Sequence, residues 1–140
     1  MLLLDNSAWT RLVQKGVVPD DRAKTIAEWM DRRETAVCLP FLLEAGYSAR
    51  SAADRKALMD RFDELPRIAI DGEVERMALL AQRELAEVGH HRLAPIDVMI
   101  AACAHRAEAG VLHYDGDYDI LAAHTSLTFE SEWLAPQGTL

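Results

Sequence analysis

Residues 93–122 read LAPIDVMIAACAHRAEAGVLHYDGDYDILA. Pro95 suits the first turn of a helix, and Ile96 to Glu108 is small and apolar almost throughout. We read a buried helix there, closed by Gly110. Val111 to His113 is apolar, too short for a helix and bounded by glycine, so it reads as a strand. A helix running straight into a buried strand is half of a β–α–β unit, which needs a parallel neighbour. The strand then ends on Tyr114-Asp115-Gly116-Asp117, and Tyr118 to Ala123 gives a further helical turn or two.

The rest of the chain repeats this alternation. Met1 to Leu4 is an apolar run cut off by Asp5, a first buried strand. A helix is expected from Ala8 to Lys15, capped by Ser7 and stopped by Gly16. Another runs from Asp20 to Arg33 with Ile26, Trp29 and Met30 on one face. Thr35 to Leu39 is a second strand, and Pro40 opens a helix from Phe41 to Ala49. Ser51 with Asp54 three residues on resembles a capping box for a helix to Glu64. Arg67 to Ile70 is a short strand, Asp71 caps a helix to Val88, and Ser126 to Phe129 is a last strand. Short strands alternating with helices predict an α/β fold with a mostly parallel sheet. The length of 140 residues suits a single domain, 1–140.

Five acids stand where an α/β sheet collects its ligands, beyond the carboxyl ends of the strands. Asp5 ends the first strand. Glu44 lies on the first turn of the helix after the second. Asp97 opens the helix of residues 96–108, and Asp115 and Asp117 follow the strand after it. All have apolar neighbours, where a carboxylate without a task is unwelcome. Taken one at a time, Asp5 serves as well as a helix cap and Asp97 as an N-terminal-turn acid. The Asp115–Asp119 run could equally be a solvated turn. Together they suit Mg²⁺ or Mn²⁺, which prefer hard oxygen ligands. Such an ion can hold a scissile phosphate and lower the pKa of a bound water.

Composition narrows the classes. With 15 Lys and Arg against 23 Asp and Glu the net charge is −8, which argues against gripping nucleic acid through a broad basic face. No apolar run approaches the roughly 20 residues of a membrane helix, and Met1 to Leu4 lacks the basic start of a signal peptide. The expected setting is therefore the cytoplasm, with Cys38 and Cys103 as buried reduced thiols. Arg11, Arg50 and Arg92 lie within a few residues of the acids and could flank the cleft and contact phosphate oxygens, the alternative being ordinary solvated surface. Trp9, Tyr47 and Tyr114 could stack on bases or simply pack. The histidines are read as non-ligands, His113 as packed or orienting.

The segments LLLDNSAW, CLPFLLEAGYSAR and LAPIDVMIAACAHRAEAGVLHYDGDYDILA resemble the PIN-domain family, specifically its VapC-type toxins, in the order Asp, Glu, Asp, D-x-D over nearly the whole chain. The tail EWLAPQG resembles the end of some members. The resemblance implies a three-layer α/β/α sandwich and an Mg²⁺- or Mn²⁺-dependent endoribonuclease leaving a 5′-phosphate. It also implies a homodimer, with larger assembly possible, and a small antitoxin partner that blocks the site. Asp5, Glu44, Asp97 and Asp115 match the metal-binding acids, Asp117 the second acid of the last motif, and Ser7 a residue orienting Asp5. Asn6 departs from the usual Thr or Ser. The acidic surface suggests a structured RNA target and a basic antitoxin segment. The competing reading is a catalytically silent or regulatory Mg²⁺-binding module acting by protein–protein contact. A receiver-type module is disfavoured because no lysine follows Arg106. A dehalogenase-type phosphatase would want D-x-D after the first strand, where Asp5-Asn6-Ser7 stands.

Overall fold

The computed structural model describes all 140 residues. In chain order the elements are β1 (Leu2–Leu4), α1 (Asn6–Leu12), α2 (Asp20–Asp31), β2 (Thr35–Cys38), α3 (Leu39–Tyr47), α4 (Ala52–Phe62), β3 (Arg67–Ile68), α5 (Gly72–Glu87), α6 (Pro95–Arg106), β4 (Gly110–His113), α7 (Asp117–His124) and β5 (Ser131–Trp133). The five strands form one sheet in the order β3-β2-β1-β4-β5, and every pairing is parallel. All residues of β2 and β4 are buried, as a parallel sheet covered on both faces requires. The predicted α/β/α sandwich is thus the observed architecture. No helix is long and apolar enough to cross a membrane.

The core follows from the apolar runs. Leu3, Leu4, Val37, Ile100, Val111 and Leu112 are wholly buried in one cluster with Ile26, Leu85 and Leu121. Trp9 and Phe41 each meet the edge of Phe62, with ring centroids 4.9 and 5.0 Å apart. This edge-to-face packing ties α1, α3 and α4 together.

The strand order contains a reversal. From β1 the chain steps through β2 and β3 to one side, then returns to place β4 and β5 on the other. Ligands of such sheets bind outside the carboxyl ends at that reversal, here between β1 and β4. The register sets those ends level: Leu4 is opposite Leu112, and the Asp5 N–H donates to the Leu112 carbonyl at 3.0 Å.

Four local expectations are corrected. The last strand is Ser131–Trp133, not Ser126–Phe129, with Trp133 opposite His113. Gly110 does not close α6. It opens β4, where a Cβ would lie 2.7 Å from Leu2 Cδ2 and 2.8 Å from the Glu130 carbonyl oxygen. Glu108, at φ 53°, makes the left-handed turn after α6 instead. The cap of α1 is Asp5 rather than Ser7. Finally, α3 begins at Leu39, which puts Glu44 on its second turn.

Candidate functional site

Asp5 leaves β1 and caps α1, accepting on Oδ2 from the Ser7 N–H at 2.9 Å and from the Ser7 hydroxyl. The Ser7 Oγ in turn accepts from the Tyr114 N–H at 2.9 Å, joining the ends of β1 and β4. Ser7 thus contacts Asp5 through both its N–H and its hydroxyl. On its other oxygen Asp5 accepts from the Tyr118 hydroxyl at 2.7 Å. Asp5 is only 4% exposed, and these three donors offset the loss of water around it.

Asp97 is the third residue of α6, reached because Pro95 fixes the first turn. It is 8% exposed, and its Oδ1 lies 3.4 Å from the Tyr118 hydroxyl. Asp115 lies in the loop between β4 and α7, where its Oδ1 accepts from the Asp117 N–H at 3.0 Å. One oxygen from each of Asp97, Asp115 and Asp117 lies within 4.8 Å of the other two. Asp5 and Glu44 flank this trio without belonging to it. Glu44 is reached across 38 residues by Asn6, whose Nδ2 donates to its Oε1 at 3.3 Å.

The electrostatics are those of carboxylates crowded together in a largely buried place. Burial first, then the charges of Asp5, Asp115, Asp117 and Glu44, push the Asp97 carboxyl up to about 8. Burial and the neighbouring Asp115 also raise Asp117. Oxygen-only donors in this number suit a hard divalent cation, whose charge would offset both the burial and the repulsion that raise Asp97.

The surrounding residues divide clearly. His113 is wholly buried, and burial pushes its pKa down. The Asp115 N–H donates to its Nδ1 at 3.1 Å, so the ring proton sits on Nε2, 2.7 Å from Ser131 Oγ. Ser131 donates to Asp119 at 2.7 Å. His113 is therefore packed in the interior, with both ring nitrogens hydrogen-bonded. Arg11 donates to the Ser7 carbonyl at 2.8 Å and lies 4.4 Å over the Tyr114 ring, beside the acids. Arg50 and Arg92 are exposed and form no ion pair. Trp9 belongs to the core, whereas Tyr47 is 90% exposed. A surface depression of about 830 Å³ beside Met1 and Gly110 is lined by none of the predicted residues.

Sequence reasoning missed Tyr118 and the second role of Asn6. A tyrosine in an apolar helix needs an acceptor for its hydroxyl, and the predicted acids were the available acceptors. Nothing local signals the Asn6–Glu44 bond.

The PIN domain family profile matches residues 2–123. The chain is 39% identical over 140 residues to Ribonuclease VapC18 of Mycobacterium tuberculosis, covering 98% of this chain and 97% of that one. It is 36% identical over 98 residues to Ribonuclease VapC51 of the same organism, covering 70% of each. The fold superposes on the DNA-bound VapBC of Salmonella typhimurium with a TM-score of 0.73 at 20% identity, covering 96% of this chain and 100% of that chain.

Proposed function

The chain belongs to the PIN-domain family, among its VapC ribonucleases, and from this we propose that it is a divalent-metal-dependent endoribonuclease, the toxin of a toxin–antitoxin pair. Residues 1–140 act as one nuclease domain. The observation that carries the reading is the trio Asp97, Asp115 and Asp117, with oxygens within 4.8 Å of one another. Asp5, Glu44, Asp97, Asp115 and Asp117 would hold Mg²⁺ or Mn²⁺. When bound, the ion supplies a nucleophilic water near neutral pH and offsets charge on the phosphate. The chain supplies the positioning. Asp97 would be held as the carboxylate when the ion is bound, Ser7 keeps Asp5 in one orientation, and Asn6 holds Glu44 at the rim. Arg11, Arg50 and Arg92 bind the phosphates of a structured RNA.

The partner protein follows the same reading. A groove of about 340 Å³ between α1, α2 and α4 is lined by Trp9, Leu12, Val13, Ala23, Ile26, Ala27, Met30 and Arg61. It suits an apolar antitoxin segment with a basic extension reaching the acids. Leu39, Leu43 and Tyr47 form an exposed stripe at every fourth residue of α3, 49%, 61% and 90% exposed, which suits a homodimer contact. The working compartment is the cytoplasm.

The test is cleavage of structured and single-stranded RNA by the purified chain. Mg²⁺ or Mn²⁺ should support cleavage to 5′-phosphate ends, EDTA should stop it, and Asp97→Asn should lack it. Cleavage that survives EDTA, or an active Asp97→Asn, would overturn the assignment. Co-purification with the product of the adjacent reading frame tests the toxin–antitoxin pairing, and sedimentation of the isolated chain tests the dimer.

A further inference from the structure

Tyr118 places one hydroxyl within hydrogen-bond reach of two of the site's acids. It is wholly buried, and its hydroxyl donates to Asp5 Oδ1 at 2.7 Å with Asp97 Oδ1 at 3.4 Å. The ring has little freedom to turn. It lies against His113 at 4.8 Å between centroids and meets the edge of Phe129 at 6.4 Å. The backbone at Tyr118 is fixed by the second position of α7 and by its N–H donating to the Asp115 carbonyl at 3.3 Å. The hydroxyl is therefore a fixed point between carboxylates from two different elements, the end of β1 and the first turn of α6. Ser7 fixes Asp5 from the opposite side, and Tyr118 also sits one residue after Asp117. One side chain thus links Asp5 and Asp97 and shares a helix turn with the third member of the cluster.

We propose that Tyr118 is a positioning residue for the cation: its hydroxyl spaces Asp5 from Asp97 and keeps Asp97 turned toward Asp115 and Asp117. The proposal deepens the metal-site reading above and rests on it. Without the hydroxyl, two buried carboxylates lose the donor between them, and Asp97 is free to swing away from its neighbours. Groups that orient metal ligands typically change affinity or activity by about 10–100-fold when removed.

The experiment compares the full-length wild type with Tyr118→Phe and Tyr118→Met, which lack the hydroxyl but differ in shape. Mn²⁺ alone is titrated into each by calorimetry, and RNA cleavage is followed over a range of Mn²⁺ concentrations. Melting in EDTA reports whether each variant is folded. The proposal expects both variants to bind Mn²⁺ about 10-fold or more weakly. It expects kcat to fall at limiting Mn²⁺ and recover at excess, with KM for RNA unchanged. Wild-type Mn²⁺ affinity in folded Tyr118→Phe overturns it, as does a rate loss that excess Mn²⁺ does not restore. A defect in Tyr118→Met alone would assign the effect to packing and overturn it too. Wild type that neither binds Mn²⁺ nor cleaves RNA defeats the metal-site reading itself, an outcome that needs no variant to recognise.

Discussion

Asp97 concentrates the tension in this site. Its carboxyl is raised from an ordinary 3.8 to about 8 by burial and by the acids around it. Between those values the folded, metal-free protein binds a proton that the unfolded chain does not. Stability from this group is therefore complete below about pH 4 and is lost as pH rises through about 8. Asp97→Asn keeps the shape and removes the titration. In EDTA its melting temperature should vary less with pH than that of the wild type, and at pH 8.5 it should exceed the wild type by several degrees. The same variant should lose RNA cleavage by about 100-fold or more. A variant less stable than wild type at pH 8.5 would show that Asp97 is not repelled. The linkage has a second consequence. Loading a cation displaces one proton, so Mn²⁺ affinity should rise by about tenfold per pH unit below pH 8. Calorimetry at pH 6 and 7 checks it, and equal affinities would mean that Asp97 is already ionised.

Strand β4 is held closely on both sides, and Gly110 is the reason it can be. A Cβ there would press on Leu2 Cδ2 and on the Glu130 carbonyl oxygen, and that carbonyl already accepts from the Val111 N–H at 2.8 Å. The leucine can turn aside but the backbone cannot. Gly110→Ala should cost about 1–3 kcal/mol, read as a lower urea midpoint at unchanged slope. An unchanged midpoint would show that β5 has room to move. Strand β5 was also the element least legible in the sequence. Strands β1, β2 and β4 announce themselves because a buried parallel strand needs an unbroken apolar run. Ser131-Glu132-Trp133 is an edge strand, half-exposed and polar, whereas Ser126 to Phe129 is more apolar and reads better. The chain chooses Ser131 for reasons that lie far away in sequence. Its hydroxyl joins His113 to Asp119, and Trp133 Nε1 donates to Asp119 at 2.9 Å. The site divides along the same line. Its acids were visible as a set, at strand ends and helix starts among apolar neighbours, although Asp5 taken alone is also the cap of α1. Tyr118 and Asn6 were not, because their partners lie 113 and 38 residues away.

The net charge of −8 sets how the protein can meet RNA. No lysine or arginine follows Arg106, while six acids do, so that last quarter of the chain repels phosphate. Five of the 15 cations are arginines already paired with carboxylates: Arg22, Arg67, Arg76, Arg83 and Arg106. Arg11, Arg50 and Arg92 are not among them, and they are the ones closest in sequence to the acids. Affinity should then come from a few phosphate contacts at the cleft rather than from a diffuse basic field. Each contact on a single strand contributes about −0.7 to the slope of log K against log salt, so three give about −2. Binding of a single-stranded RNA to Asp97→Asn, which avoids turnover, measures that slope by fluorescence anisotropy. Replacing Arg50 or Arg92 by alanine should make it shallower by about 0.7 and weaken binding to all sequences alike. Arg11→Ala should do the same and also loosen the site, since its guanidinium spans the Ser7 carbonyl and the Tyr114 ring. A much steeper wild-type slope, or one indifferent to all three substitutions, would place the RNA on a different surface from the carboxylates.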